Sequence, residues 1–237
     1  LVFTLSSQNA QLSRRPNFRI NYGGLNWAGM TSLTYTQYHD IRMGQRILPW
    51  TPASHLSNTQ LSYLPTTIGG IDTVRTPEDN RIQYNTSYEK RNITQKFKVR
   101  IAERTTFKSG LHLSLTGDVN RYDRFTEMMN GSPKYAQWNY GPQAWIMSYL
   151  SIENRDKTAI SDWMKFTLSG QYFEESRKTR KFKAPVGRVQ REQVYINQIN
   201  FDASKKISNK STILYGAELI ENNLTSTAYH YHCMTSD

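Results

Sequence analysis

Apolar and polar residues take turns along most of this chain, with a period of two. From Leu111 to Asn120 every odd position is apolar or glycine and every even position is polar. Lys96, Lys98 and Arg100 alternate with Phe97, Val99 and Ile101, and Met164, Phe166, Leu168, Gly170 and Tyr172 alternate with Lys165, Thr167, Ser169 and Gln171. Ile213, Tyr215, Ala217 and Leu219 repeat the pattern. Successive side chains of a strand point to opposite faces, so this period predicts two-faced strands; no segment shows a comparable helical period. The expected fold class is all-β. Strands are predicted near 27–40, 93–103, 110–122, 141–153, 162–177, 189–204 and 210–222, with weaker candidates near 1–7 and 17–23.

The segments between these strands alternate in length. Long connections are expected at 41–92, 123–140 and 178–188, and short ones around Arg104–Ser109, Asn154–Ser161 and Lys205–Asn209. Consecutive antiparallel strands put alternate connections at opposite ends of the sheet, so one end is short and the other elaborate. Outer-membrane barrels have this asymmetry, with short periplasmic turns and long extracellular loops, and their tilted strands need about 9–11 residues to cross. The expectation is an antiparallel transmembrane β-barrel segment, an incomplete barrel, over 1–237. Within the 41–92 stretch lie Pro49, Pro52, Pro65, Pro77 and Gly69-Gly70, and Ile71-Asp72-Thr73-Val74 is a candidate short strand. Aromatics gather at strand ends: Trp27, Tyr35, Tyr38, Tyr122, Phe125, Trp138, Tyr140 and Trp163. That placement suits interfacial girdles.

Composition changes the picture in three places. Mean hydropathy is −0.69 and the longest apolar stretch, Ala144–Leu150, is far short of a membrane-spanning helix, but alternating strands escape that test. Fifteen Tyr, nine Phe and five Trp argue against disorder. The net charge of +11 invites a nucleic-acid reading, yet the basic residues are spread along strands and no zinc-finger or RRM motif accompanies them, so no nucleic-acid partner is expected. The single cysteine, Cys233, excludes an intrachain disulfide framework. The chain opens on Leu1 with no targeting segment visible, and the expectation is a piece of a longer protein.

At the level of motifs the chain resembles the barrel region of TonB-dependent outer-membrane receptors, in particular those of the Bacteroidetes lineage. The resemblance rests on Tyr22-Gly23-Gly24 to Trp27, Thr34–Gly44, Arg121–Glu127, Trp138–Gln143, Gln171–Phe182, Val194–Asn197 to Phe201-Asp202, and Leu214–Glu218. It covers about Tyr22 to Ala228; the tail Tyr229–Asp237 fits it less well. The motifs are specific together and weak singly. What the resemblance implies is part of a large barrel closed by a plug, of the roughly 22-stranded class, in the bacterial outer membrane. Such a receptor imports a scarce nutrient such as a ferric siderophore, haem or cobalamin, energised through TonB. Neither the plug nor a TonB-contacting segment is found in these residues. Expected partners are outer-membrane lipid and lipopolysaccharide, TonB through a plug outside this chain, and the nutrient. The alternatives are a small passive barrel or porin, favoured if the sheet closes within these residues, and a soluble extracellular β-domain binding glycan or protein.

Under the barrel reading, Lys96, Lys98, Arg100, His112, Ser114, Thr116 and Asp118 face the lumen, and Phe97, Val99, Ile101, Leu111, Leu113 and Leu115 face lipid. Arg121, Tyr122, Arg124, Trp138 and Tyr140 are candidate ligand or loop contacts, because guanidinium groups grip carboxylates in a planar fork. The plainer reading of Arg121, Asp123 and Arg124 is cross-strand pairing or contact with lipopolysaccharide phosphate. Glu174-Glu175 is a carboxylate pair, but neighbours on a strand point apart and cannot serve one substrate; pairing with the cations that follow is expected. His230-Tyr231-His232-Cys233 lacks a fourth ligand at a recognised metal spacing. Four Asn-X-Ser/Thr sequons carry no weight in a bacterial chain. No nucleotide-binding, hydrolase or metalloprotease motif is present, so no enzyme activity, cofactor or metal is expected.

Overall fold

The computed structural model describes residues 2–8, 12–42, 63–79 and 81–233. Met43-Gly44, Pro49, Pro52 and the tail beyond Cys233 lie outside them. The chain forms one long antiparallel sheet. Strands β1 (Val2–Gln8), β2 (Ser13–Gly23) and β3 (Trp27–Tyr38) come first. A long connection follows, holding the short strands β4 (Ile41–Arg42), β5 (Leu64–Ile68), β6 (Ile71–Arg75) and β7 (Ile82–Gln83). Then come β8 (Tyr88–Ala102) and β9 (Thr105–Thr116). A second elaborate connection contains β10 (Val119–Asn120), the helical turn Tyr122–Phe125, β11 (Met128–Met129) and β12 (Ser132–Pro133). The last strands are the longest: β13 (Tyr135–Asn154), β14 (Trp163–Lys181), β15 (Val186–Ser208) and β16 (Ser211–His232). Every predicted strand is present, and Ile71–Val74 does form part of a hairpin, β5 with β6.

The long strands run in the order β1-β2-β3-β8-β9-β13-β14-β15-β16, so each pairs with its neighbour in sequence and β1 and β16 are the two ends. The asymmetry of the connections holds for 39–87 and 117–134, which share one end of the sheet. It fails at 178–188: β14 and β15 continue past the expected ends and are joined by only residues 182–185. Beyond Tyr172, charged residues occupy both faces (Glu174, Glu175, Arg177, Lys178, Arg180, Lys181), so the alternation ceases while the hydrogen-bonded ladder goes on.

Through the middle of the strands, register carries the two faces across the whole sheet; the register shifts lie toward strand ends, at Tyr135/Gln137, Tyr140/Gln143, Arg100/Ala102 and Lys206/Ser208. Lys96 stands opposite Gly110, Thr94 opposite His112, and His112 opposite Met147. On the other face, Leu33, Ile93, Leu113 and Ile146 form one cross-strand row, and two rows farther toward the short turns Gly29 leads through Phe97, Ser109, Leu150, Leu168 and Ile199 to Leu219. Among the described residues no second layer covers this apolar face: Leu150 is 51% exposed, Leu168 41%, Ile199 41% and Leu219 66%. Among described residues the buried large apolar side chains are few, and two of them, Phe125 and Trp138, belong to the loop end. In water each bared side chain would forgo roughly 1.5–3 kcal/mol of burial, and a domain is stable only when such a face is packed against something.

The apolar band also runs obliquely. Thr31, in the middle of the β3 run, is in register through Gln95, Leu111, Ser148, Gly170 and Asn197 with Glu221. The apolar run of β16, however, is Ile213–Leu219. Over six strand-to-strand steps the band moves about five residues toward the short-turn end; at 3.3 Å per residue and 4.8 Å per strand this is an obliquity of about 30°. On β14 the band from Met164 to Tyr172 is about 27 Å along the strand, a little over 20 Å once tilted.

Candidate functional site: an arginine–tryptophan cluster at the loop end

Trp138 and Tyr140 lie two apart on β13 and therefore share a face, their rings meeting edge-on at 5.1 Å. β10 pairs with β13 through Val119–Tyr140 and Asn120–Asn139, and the Arg121 amide donates to the Trp138 carbonyl at 3.0 Å. This sets the following helical turn against Trp138. Arg121 and Arg124 stack on the indole at 5.1 and 5.5 Å, and Arg177, whose register partner is Tyr140, lies 5.9 Å from it. Three guanidinium groups thus surround one buried indole, each contact contributing about 0.5–2 kcal/mol.

The cations are not free. Arg121 forks onto Asp123 at 2.7 and 2.5 Å, Arg124 donates to Glu127 at 2.5 Å, and Arg177 donates to Gln190. Lys134 completes the network on Glu127 at 2.5 Å. Hydrogen bonding from Arg121 lowers the Asp123 pKa, and that from Lys134 and Arg124 lowers Glu127's, so both carboxylates stay ionised near neutrality. The Nε of Arg124 and the Nδ2 of Asn139 are buried without a hydrogen-bond partner among the described residues. The cluster holds neither an activated nucleophile nor a base beside one, so its chemistry is recognition and packing; an anionic ligand would have to displace Asp123 or Glu127.

The connection between β3 and β8 reaches this cluster and passes it. The Tyr63 hydroxyl donates to the carbonyls of Phe125 and Thr126 at 3.3 and 3.4 Å, and burial together with nearby Tyr122 raises its pKa. Farther on, the β5–β6 hairpin is anchored to the end of β14. Asp72 accepts from Arg180 at 2.7 and 2.6 Å, from the Lys183 amide at 2.6 Å and from Thr67 at 2.7 Å. The Asp72 and Arg180 side chains are only 1% and 6% exposed. Burial by itself raises the Asp72 pKa, but the hydrogen bonds from Arg180, Thr67 and Lys183 outweigh it and leave the pKa lowered.

Of the five candidate contact residues, Arg121, Arg124, Trp138 and Tyr140 come together directly, with Tyr122 in the same helical turn. Arg177 and Lys134 join them, although the sequence suggested neither; strand pairing with Tyr140 brings Arg177, and the β11–β12 turn returns Lys134 to Glu127. Lys96, Lys98, Arg100, His112, Ser114 and Thr116 share one face of the β8–β9 pair, and Phe97, Val99, Leu111, Leu113 and Leu115 the other; Ile101 sits at a register irregularity. Asp118 departs from its row: it lies between β9 and β10 and pairs with Lys178 at 3.0 Å. Glu174 and Glu175 do fall on opposite faces, and Glu174 pairs with Arg191 at 2.5 Å. The girdle expectation needs correction. Trp27 and Tyr35 stand on the apolar face, but Tyr38, Trp138, Tyr140 and Trp163 occupy positions in register with the polar face. Aromatics that do border the apolar band include Tyr22, Phe97 and Tyr215 toward the short turns and Tyr172 and Tyr195 toward the loops. Among the described residues no three His, Cys, Asp or Glu side chains are placed to hold a metal ion. No protein-family model matches the chain, and no curated protein matches it.

Proposed function

We propose that this chain is part of the wall of a bacterial outer-membrane barrel, within a TonB-dependent receptor that imports a scarce nutrient such as a ferric siderophore, haem or cobalamin. The observation that carries the membrane part is the uncovered apolar face, continuous over nine strands and backed by an equally continuous polar face. Lipid is the partner such a face fits. Its obliquity of about 30° and height of a little over 20 Å lie near the 35–45° tilt and the roughly 25 Å band of outer-membrane barrels. Among the described residues β1 and β16 do not pair with each other, and the outer edge of β16, 22 residues long, carries no further strand. An edge of that length calls for a further strand, which favours a large barrel over a small one closed by these residues. The receptor part rests on the motif resemblance and on the two long connections that meet at one end.

Labelled-nutrient uptake in cells with and without the gene, with and without a proton-gradient uncoupler, tests the reading. Gene-dependent uptake that the uncoupler abolishes is the expected result. Uptake that survives the uncoupler would mean a passive barrel, and recovery of the protein from the soluble fraction would mean an extracellular binding domain.

A further inference from the structure

On the polar face of β2, β3 and β8 lies a trough along β3. Its floor is short: Ser32, Thr34 and Thr36, with Ser32 and Thr36 buried. β2 walls it on one side with Arg15 and Arg19, and β8 on the other with Lys90. Toward the short turns it continues beside Met30, with Lys96 and Lys98 on the β8 wall. The two walls stand two strand spacings apart, about 9.6 Å, the width of one extended chain. Ala28 to Thr36 spans about 27 Å, room for eight or nine extended residues.

The charge of this trough is one-sided. The long strands β1, β2, β3, β8 and β9 contain a single carboxylate, Glu89, and it lies on the opposite face, in register with Gln37 and bonded to Tyr35. Arg15, Arg19, Lys90, Lys96, Lys98 and Arg100 make no ion pair among the described residues. Lys98 stands directly opposite Lys108, a like-charged pair that destabilises a sheet unless an anion intervenes; Lys108 has Glu153 at 2.6 Å, and Lys98 has no carboxylate partner among the described residues. The same face of β13–β16 is balanced, carrying Glu153, Glu175, Glu192, Asp202 and Glu218 beside its cations. The imbalance is thus local to the trough.

We propose that the trough binds an extended acidic polypeptide segment. A small anion needs converging donors, whereas Lys96, Lys98 and Arg100 project in parallel at about 6.6 Å intervals along β8. Single-stranded nucleic acid needs aromatic faces on which bases stack. Two rings line it on this face, and both are engaged: Tyr38, at the loop end, is stacked on Tyr88 at 4.4 Å, and Tyr149, toward the short turns, is folded over Gly110. Hydroxyls and the Asn92 amide between the cations suit a polypeptide's carboxylates and backbone, while the Asn17 amide donates to Ser32 and Thr34 and fixes the floor. The inference stands on strand register and charge alone, so it survives if the importer reading fails.

The test is fluorescence anisotropy with a labelled twelve-residue Asp/Glu peptide and the purified chain in detergent micelles. The peptide should bind, more weakly as salt rises, and R19Q/K96Q/K98Q should raise Kd at least tenfold. The charge-keeping version R19K/K96R/K98R should restore binding, which a merely misfolded glutamine variant would not explain. K165Q/R188Q, on the same face farther along the sheet, should stay within twofold. Unchanged binding in the glutamine variant, or failure of the charge-keeping variant to restore it, would overturn the proposal. So would displacement by inorganic phosphate at matched ionic strength, which marks a point anion site, or tighter binding of an oligonucleotide.

Discussion

Asp72 is a single carboxylate on which the seating of a whole hairpin depends. Removing one partner of a buried ion pair costs about 3–5 kcal/mol, because the other charge is left without compensation. Asp72→Asn should therefore free β5–β6 from β14, read as loss of amide-exchange protection over 64–75 with the long strands still protected. The same anchor is sensitive to acid. A carboxylate whose folded pKa is lowered contributes stability above its unfolded value, near 4, and loses that contribution as pH falls through the folded value. Protection of the hairpin should thus be full at neutral pH and fail below about pH 4; protection that persists unchanged at lower pH would contradict the anchor. Trp138→Ala should cost about 3–5 kcal/mol and loosen the 117–134 connection, measurable by urea unfolding and proteolysis. The arginine–tryptophan cluster was partly legible in sequence because its members lie where neighbouring strands end. The Asp72–Arg180 anchor was not: the two residues are 108 apart and no periodicity links a loop hairpin to a distant strand end.

At the scale of elements, the strands were legible wherever one face is apolar. Their ends were not. β16 runs on to His232 through residues polar on both faces, and β13 begins at Tyr135 ahead of the alternation, so pairing rather than pattern sets those limits. Close packing between strands adds a constraint that hydropathy does not show. Gly110 lies under Tyr149, and a Cβ there would come within 2.3 Å of the ring; Gly29 lies under Tyr22 in the same way, at 2.2 Å. A tyrosine folded over a cross-strand glycine fills the gap that the missing side chain leaves. Gly110→Val should displace the ring and destabilise the sheet by about 1–3 kcal/mol, seen as a lower unfolding temperature in micelles.

For the whole molecule, the two faces make opposite demands on substitution. A lysine at Leu168, near the middle of the apolar band, should cost about 2–4 kcal/mol in a bilayer, and a lysine at neighbouring Thr167 much less. Comparison of urea midpoints in lipid vesicles gives the difference; equal effects would mean that lipid does not cover the face. The alternation made both faces legible, but not what covers the apolar one, since a sandwich core and a bilayer impose the same period. Only the single layer, the oblique band and the open edges separate them. The most direct measurement is a spin-label scan of β14 from Met164 to Ser176 in bilayers, with Cys233→Ser removing the native thiol. Oxygen accessibility should peak at Phe166, Leu168, Gly170 and Tyr172, and accessibility to a water-soluble nickel chelate at Thr167, Ser169 and Gln171. Apolar positions shielded from both quenchers, or open to the chelate, would contradict a lipid-facing wall.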